Sequence, residues 1–148
     1  MAKIASLRRA IHANPETAFE EFETNRLCCR VLSDLGVRIV SADAANTGIV
    51  GLIEGARPGP TIALRTDMDG LPIQENTGLP FQSTVSGKMH ACGHDGHVAI
   101  MLGVAMVLSR LRDSIRGNVK LILQPAEEQL TGAKQMIADG ALVDPPVD

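Results

Sequence analysis

Apolar residues near the start of the chain recur every three or four positions. Over residues 4–13 this spacing predicts a helix, and Asn14-Pro15 ends it because a residue before proline is disfavoured in the α region. A second helix with one apolar face is predicted over residues 20–35. Gly36 directly follows it, as expected for the left-handed residue that closes many helices.

The middle of the chain changes to short β-branched or apolar runs, which predict strands over residues 37–40, 48–53 and 61–65. Residues 55–60 are rich in glycine and proline but lack the Gly-Lys-Ser/Thr ending of a phosphate loop. We therefore interpret them as a hairpin connection between two of these strands. Residues 79–89 are predicted to form an irregular loop.

The last third of the chain alternates helix and strand. A long helix, apolar almost all round, is predicted over residues 96–111, then a strand over 119–123 and a final helix over 131–139 that Gly140 closes. Strands that alternate with helices predict an α/β fold. We expect a mostly parallel mixed sheet with helices on both faces, that is, a three-layer α/β/α arrangement.

Composition and charge narrow the class of protein. With 148 residues, 45% of them apolar and 21% charged, the chain is long enough for one globular domain. The net charge of −3 and the scattered basic residues argue against a nucleic-acid or anionic-membrane partner. The longest apolar run, residues 98–108, is about half of what a membrane-spanning helix needs.

The N-terminus and the cysteines predict a cytoplasmic protein. Lys3, Arg8 and Arg9 come early and no continuous apolar stretch follows them, unlike a secretory signal. Cys28 and Cys29 are neighbours, which rarely bridge to each other, and the odd total of three cysteines is a poor disulfide framework. A reducing compartment fits this pattern best.

The strongest candidate for chemistry is the segment 89–97, which holds three of the four histidines. Cys92 and His94 are two positions apart there, so a thiolate and an imidazole could turn toward one cation. This donor pair favours zinc or a similar transition metal, and Asp95 or a backbone carbonyl could orient the imidazole. The alternative is a packed thiol, with Asp95 as the N-cap of the following helix.

A second candidate is the carboxylate pair Glu127-Glu128, which follows a predicted strand. Sites in α/β sheets usually lie at the carboxyl ends of the strands. Adjacent residues on extended backbone point to opposite sides, so one carboxylate could hold a metal while the other faces a water or substrate. The alternative is a solvated acidic pair that begins the next helix, where negative charge suits the helix dipole.

A third candidate is Asp67 with Asp69, which share one face of an extended backbone and could serve a second cation or hold metal ligands. Asp69-Gly70 is equally a common turn pair. All three candidates lie on the same predicted rim of the sheet, next to strand ends or a helix start. This shared placement favours a catalytic metal centre.

Three segments resemble the signature blocks of metal-dependent N-acyl-amino-acid amidohydrolases, the group of hippurate hydrolases, bacterial aminoacylases and plant auxin–amino-acid conjugate hydrolases. They are Leu64–Pro72 (LRTDMDGLP), Gly87–His97 (GKMHACGHDGH) and Gln124–Glu128 (QPAEE). The opening stretch around Leu7–Glu16 is also similar to the start of these enzymes. The resemblance covers nearly the whole chain in order.

The resemblance implies a site for two divalent metal ions (zinc, manganese or nickel). Cys92, His94 and Glu128 are the implied metal ligands, Glu127 is the implied general base, and Asp69 is an implied supporting carboxylate of the catalytic set. Asp67 stands where related peptidases carry a metal-ligating histidine, so its ligand role is left open. His97 is expected near the helix start, and His12 is expected to be structural.

The implied reaction is hydrolysis of the amide bond of a small N-acyl amino acid, such as hippurate, by a metal-activated water. Members of this group extend well beyond 148 residues. We therefore expect residues 1–148 to be the N-terminal part of the catalytic domain, incomplete at its C-terminus and without the lid or dimerisation domain. A homo-oligomer is expected if the apolar surface at the missing half is exposed.

Two other functions stay open. One is a non-catalytic fragment or remnant that keeps the fold and binds metal at most in part. The other, a cysteine hydrolase that uses Cys92 and His94, is disfavoured because the Cys-x-His spacing suits shared metal ligation better than a nucleophile–base pair.

Overall fold

The protein folds around a mixed four-stranded sheet, in a computed structural model that describes residues 2–148. The elements in chain order are α1 (Ala2–His12), α2 (Phe22–Asp34), β1 (Arg38–Ala44), β2 (Gly48–Glu54), β3 (Arg57–Asp67), α3 (His94–Arg110), a short 3-10 turn (Arg112–Ser114), β4 (Arg116–Gln124) and α4 (Gly132–Ala138). The long stretch between β3 and α3 has no helix or named strand among these elements. It carries a single isolated bridge, between Leu71 and Met89.

The order of strands in the sheet is β1-β2-β4-β3. The α/β class with a mixed sheet is therefore confirmed, but the expectation of mostly parallel strands is wrong for this part of the fold. β1 pairs with β2 and β2 with β4 in antiparallel fashion, and only β3 and β4 run parallel among residues 2–148. For β1 and β2 the physical reason is the tight turn at Ala45-Asn46, because a short connection can only join antiparallel neighbours.

The segment 55–60 is not a hairpin connection, contrary to the sequence interpretation. β4 lies between β2 and β3, so the strands on either side of this segment are not hydrogen-bonded to each other. Pro58 and Pro60 instead belong to the start of β3. Because β3 is an edge strand, one side of it needs no backbone N–H donor, and proline is tolerated there.

Buried side chains form one apolar cluster on each face of the sheet. Leu121 and Leu123 of β4 pack in the cluster to which α1, α2 and α3 contribute. Ile122, between them, points to the other face and packs in the cluster that contains Met136 of α4. The three-layer α/β/α arrangement is therefore confirmed.

The predicted helices are all present, with ends that differ by a few residues. Gly36 and Gly140 have φ values of +72° and +87°, which confirms their predicted left-handed roles after α2 and α4. The helix α3 begins at His94 rather than Gly96 because Gly93, with φ +90°, precedes it as the cap. Asp95 therefore lies inside the first turn and is not the N-cap.

None of the helices in the described part of the chain combines the length and the apolar character that crossing a membrane requires.

Candidate metal centre

The side chain of His94 is the point where the three candidate segments meet. It is the first residue of α3 and only 2% exposed. Its Nε2 atom lies 3.7 Å from a carboxylate oxygen of Asp67 and 3.7 Å from one of Glu127. Glu128 contributes a third oxygen at 3.8 Å. The ends of β3 and β4 and the start of α3 thus bring their acidic and imidazole groups to one rim of the sheet.

The other ring nitrogen fixes how the imidazole of His94 is oriented. Nδ1 lies 2.9 Å from the backbone carbonyl oxygen of Asp69 and 3.1 Å from its carboxylate. Because both partners accept hydrogen bonds, Nδ1 carries a proton, and Nε2 is the ring nitrogen that faces the surrounding carboxylates. Of the two orienting groups considered from the sequence, the backbone carbonyl holds the ring, and Asp95 contacts other residues.

Cys92, His94 and Glu128 offer donor atoms that all lie within 4.8 Å of one another. In the described part of the chain, the Oε1 atom of Glu128 is buried and has no hydrogen-bond partner. Its 3.8 Å separation from Nε2 of His94 is too long for a hydrogen bond. It is short enough for two donors that each lie about 2 Å from a shared zinc-type ion. A sulfur, an imidazole and an otherwise unsatisfied carboxylate oxygen therefore fit a divalent metal.

The electrostatics of the rim also favour a cation. Burial raises the pKa of the Cys92 thiol, and the neighbouring carboxylates of Glu128, Glu127 and Asp67 raise it further. Burial lowers the pKa of His94, but hydrogen bonding to Asp69 and the charge of Asp67 outweigh it and raise the pKa overall. Acidic groups that disfavour a thiolate and favour a protonated imidazole create a negative potential, which a bound cation would neutralise.

A second donor group shares His94 with the first. Asp67, His94 and His97 also place donor atoms within 4.8 Å of one another. The imidazole of His97, half-exposed, lies with Nδ1 2.6 Å from the carboxylate of Asp67. Nδ1 of His94 is engaged by Asp69, so Nε2 is the only nitrogen of this ring that can bind a metal. Because both donor groups need this one nitrogen, they cannot each hold an ion at the same time. The sequence left the ligand role of Asp67 open and placed His97 only near the helix start, so the contact between these two side chains was not anticipated.

The Glu127-Glu128 pair lies in a turn rather than on extended backbone. Ala126, just before the pair, has a φ of +51°, which turns the chain after β4. As a result both carboxylates approach the same nitrogen of His94 instead of pointing to opposite sides. The sequence expectation is corrected here, because it assumed that strand geometry continued past Gln124.

Sequence reasoning missed Glu21, which precedes α2 and is fully buried. One oxygen of its carboxylate accepts the backbone N–H of Ala126 at 3.0 Å, and the other accepts the hydroxyl of Thr47 at 2.5 Å. Burial raises its pKa, although both hydrogen bonds oppose this shift. A glutamate near a helix start looks like an ordinary partner of the helix dipole, so no periodicity signal marks it.

His12 braces α3 from the opposite side of the site. Its ring nitrogens lie 2.7 Å from the carboxylate of Asp95 and 3.2 Å from that of Glu75. Asp95 also contacts the Arg8 guanidinium at 2.5 Å. His12 and both carboxylates are buried. This position matches the structural role expected for His12.

The fold is of the α/β class, and the rim of its sheet carries groups that could hold a divalent metal. Residues 63–148 match the model of peptidase family M20/M25/M40, and the chain belongs to this family. The resemblance to metal-dependent amidohydrolases is thereby confirmed.

Several individual relatives align with this chain over almost its whole length. The chain is 49% identical to thermostable carboxypeptidase 1 of Saccharolobus solfataricus, over 94% of this chain and 36% of the relative. It is 44% identical to an N-acetylcysteine deacetylase of Bacillus subtilis, over 95% and 37% respectively. It is 48% identical to IAA-amino acid hydrolase ILR1-like 2 of Arabidopsis thaliana, over 94% and 31%.

A solved structure agrees with this alignment. The Bacillus subtilis YXEP protein, a dinuclear metal-binding peptidase of the M20 family, superposes with a TM-score of 0.92 at 43% identity. The superposition covers 95% of this chain and 40% of that one. The chain thus spans about a third of the length of the curated relatives it matches.

Proposed function

We propose that this chain supplies the N-terminal part of the catalytic domain of a metal-dependent amidohydrolase that acts on small N-acyl amino acids, including hippurate-like ones. The observation that carries the proposal is the donor set of Cys92, His94 and Glu128, with its unpartnered Glu128 oxygen. The names of two relatives, an N-acetylcysteine deacetylase and an IAA-amino acid hydrolase, support this substrate class.

Cys92, His94 and Glu128 are the proposed metal ligands. A divalent ion held by these three residues, whether zinc, manganese or nickel, would supply Lewis acidity, which would polarise an amide carbonyl and lower the pKa of a water molecule. Asp69 keeps the lone pair of His94 aimed at the ion, because it accepts the Nδ1 proton. This role makes Asp69 a supporting residue rather than a ligand.

Glu127 is the proposed general base. Its carboxylate lies 3.7 Å from Nε2 of His94, and its side chain is 31% exposed, so a water and a substrate can reach it. It would accept the proton of the attacking water and return it to the leaving amine. Burial supports the proposed roles of Glu128 as metal ligand and Glu127 as general base, since the unpartnered oxygen of Glu128 is buried.

A second candidate function is metal binding without turnover. Both donor groups depend on the same nitrogen of His94, so the described residues supply a complete set for a single ion. A two-ion site therefore needs ligands beyond the two groups described. The number of ions bound and the turnover rate separate the two candidate functions.

Two further expectations remain part of the proposal. A reducing, cytoplasmic location is supported by the free thiols of Cys28, Cys29 and Cys92. A homo-oligomer is supported by exposed apolar side chains on α3, of which Ile100 and Val107 are the most exposed.

The experiment that tests the proposal compares Glu127→Gln with the matched control Glu20→Gln, since Glu20 is exposed and lies outside the site. Metal binding is measured by calorimetry, and hydrolysis of hippurate and N-acetylcysteine by amine release. We expect Glu127→Gln to keep metal affinity and to lose about 10²–10⁴-fold in turnover. Stoichiometric metal binding with no turnover would favour the second candidate function, and absence of metal binding would refute both.

A further inference from the structure

The turn that carries Glu127 and Glu128 is held at two points by buried carboxylates from distant parts of the chain. Asp69 accepts the backbone N–H of Glu128 at 3.0 Å. Glu21 accepts the backbone N–H of Ala126 at 3.0 Å. The two bonds lie on either side of Glu127, so they fix the backbone from which its side chain extends.

The bond from Glu21 satisfies the N–H of a residue that is buried and in an unfavourable backbone conformation. Ala126 is fully buried, and its φ of +51° is unfavourable for a residue with a Cβ atom. A buried N–H without an acceptor raises the free energy of the folded state. The left-handed turn is therefore stable only while an acceptor is within hydrogen-bond distance of the Ala126 N–H. Glu21 is itself fully buried, and its second oxygen is held by the Thr47 hydroxyl.

We infer that Glu21 is a positioning residue that fixes the Ala126 turn and so sets the directions of the Glu127 and Glu128 carboxylates toward the metal centre. This inference rests on the proposed function. Glu21 belongs to the segment before α2 and lies 105 residues from Ala126 in sequence. The carboxylate of Glu21 therefore ties the first part of the chain to the end of β4.

Acceptor geometry, rather than negative charge, is what the turn requires. In a Glu21→Gln variant the amide oxygen can still accept the Ala126 N–H, and the amide nitrogen can donate to the Thr47 hydroxyl. Glu21→Met keeps a similar volume but removes both acceptors. Glu21→Asp keeps the charge but withdraws the carboxylate by one methylene, so it cannot reach both partners. The three variants therefore distinguish the effects of the acceptor atoms, of the negative charge and of the side-chain length.

Two measurements report how the Glu21 variants affect the Ala126 turn and the metal centre. The first is hydrogen exchange of the Ala126 amide in the 148-residue chain without metal. The second is Cd²⁺ affinity, followed by thiolate-to-metal charge-transfer absorbance with Cys92→Ser as the blank. The matched controls are Glu20→Gln, an exposed neighbour, and Thr47→Val, which removes the other partner of Glu21 but leaves the bond to Ala126.

We expect Glu21→Met to speed exchange of the Ala126 amide and to weaken Cd²⁺ binding, each by about tenfold or more. Glu21→Asp should act in the same direction, and it keeps the test valid if Glu21→Met does not fold. Glu21→Gln and Glu20→Gln should stay within about twofold of the parent chain. Thr47→Val should lower the unfolding midpoint without weakening Cd²⁺ binding comparably.

Unchanged Ala126 exchange in both Glu21→Met and Glu21→Asp would overturn the inference. So would a loss of Cd²⁺ affinity in Thr47→Val as large as that in Glu21→Met, because the effect would then be general destabilisation. If the parent chain gives no Cys92-dependent signal, the proposed function fails. The amide exchange of Ala126 then still decides whether Glu21 holds the turn.

Discussion

The Nδ1 proton of His94 is shared between the backbone carbonyl and the carboxylate of Asp69, at 2.9 and 3.1 Å. The other carboxylate oxygen of Asp69 accepts the backbone N–H of Glu128 at 3.0 Å. One buried side chain therefore orients two of the proposed metal ligands. Burial raises the pKa of Asp69, but the hydrogen bonds from His94 and Glu128 outweigh it and keep the carboxylate ionised.

Replacing Asp69 by asparagine should weaken metal binding. The amide can accept only with its oxygen, so its NH₂ group would face either the His94 proton or the Glu128 N–H. We expect metal affinity to fall by about 10–100-fold, as for other residues that orient metal ligands. Calorimetry with Zn²⁺ measures the change. Asp113→Asn, at an exposed position, is the control, and equal affinity in both variants would contradict the role of Asp69.

Metal should protect the thiol of Cys92 from alkylation. Cys92 is exposed, whereas Cys28 is fully buried. Burial and the nearby carboxylates raise the pKa of Cys92, so without metal we expect slow labelling that accelerates as the pH rises. With Zn²⁺ or Cd²⁺ bound, the sulfur lone pairs are engaged and labelling should stop. Peptide mass spectrometry after iodoacetamide treatment gives the rate at each cysteine.

Cys28 serves as the internal control for this experiment, because its label should appear only on unfolding. If metal left the Cys92 rate unchanged at a concentration that saturates binding, the thiol would not be a ligand. Labelling of Cys28 at the same rate as Cys92 would show instead that the chain had opened.

Removing the imidazole of His12 should destabilise the fold without changing the donor set. In a His12→Phe variant the carboxylates of Asp95 and Glu75 lose a buried partner. Because Asp95 keeps Arg8 and Glu75 keeps Thr77 and Ser83, the loss is that of a buried hydrogen-bond partner, about 1–3 kcal/mol in the free energy of unfolding. Urea denaturation measures this loss. Metal affinity at a temperature where the variant is folded should stay within a few-fold, and Lys3→Gln, on the exposed face of α1, should change neither.

Local patterns predicted the elements of this fold, because each helix and strand has either an apolar face with its own period or a continuous apolar run. The pairing of strands could not be predicted in the same way. β4 inserts between β2 and β3 although almost fifty residues separate it from the end of β3, and more than fifty from the end of β2. That choice depends on long-range packing of both faces of β4, which no local signal contains.

In the candidate site, too, some features could be predicted from local sequence patterns and others could not. Residue types and spacing singled out Cys92 and His94, and the family resemblance added Glu128 as a ligand. The structure brings donor atoms of all three within 4.8 Å of one another. The direction of Glu127 and the role of Glu21 could not be found, since both depend on the φ of Ala126. A positive φ at alanine is set by tertiary contacts and has no signature in the sequence.

The pH dependence of stability should reveal the burial of Glu21. Burial raises its pKa above the ordinary value of 4.5, so the folded state binds more protons than the unfolded state just above that pH. The contribution of Glu21 to the free energy of unfolding therefore decreases as the pH rises from about 4.5 through the folded pKa. Glu21→Gln has no such titration. Its stability relative to the parent chain should increase with pH over this window and then level off.

Urea denaturation of both chains at a series of pH values between about 4 and 7.5 measures this difference, in which titrations common to both proteins cancel. Glu20→Gln is the control with the opposite sign. Hydrogen bonding to Lys88 and the charge of Lys88 lower the pKa of the exposed Glu20, so its contribution is present above 4.5 and lost in acid. Glu20→Gln should therefore give no gain at neutral pH. A flat difference for Glu21→Gln would mean that Glu21 titrates alike in the folded and unfolded chains.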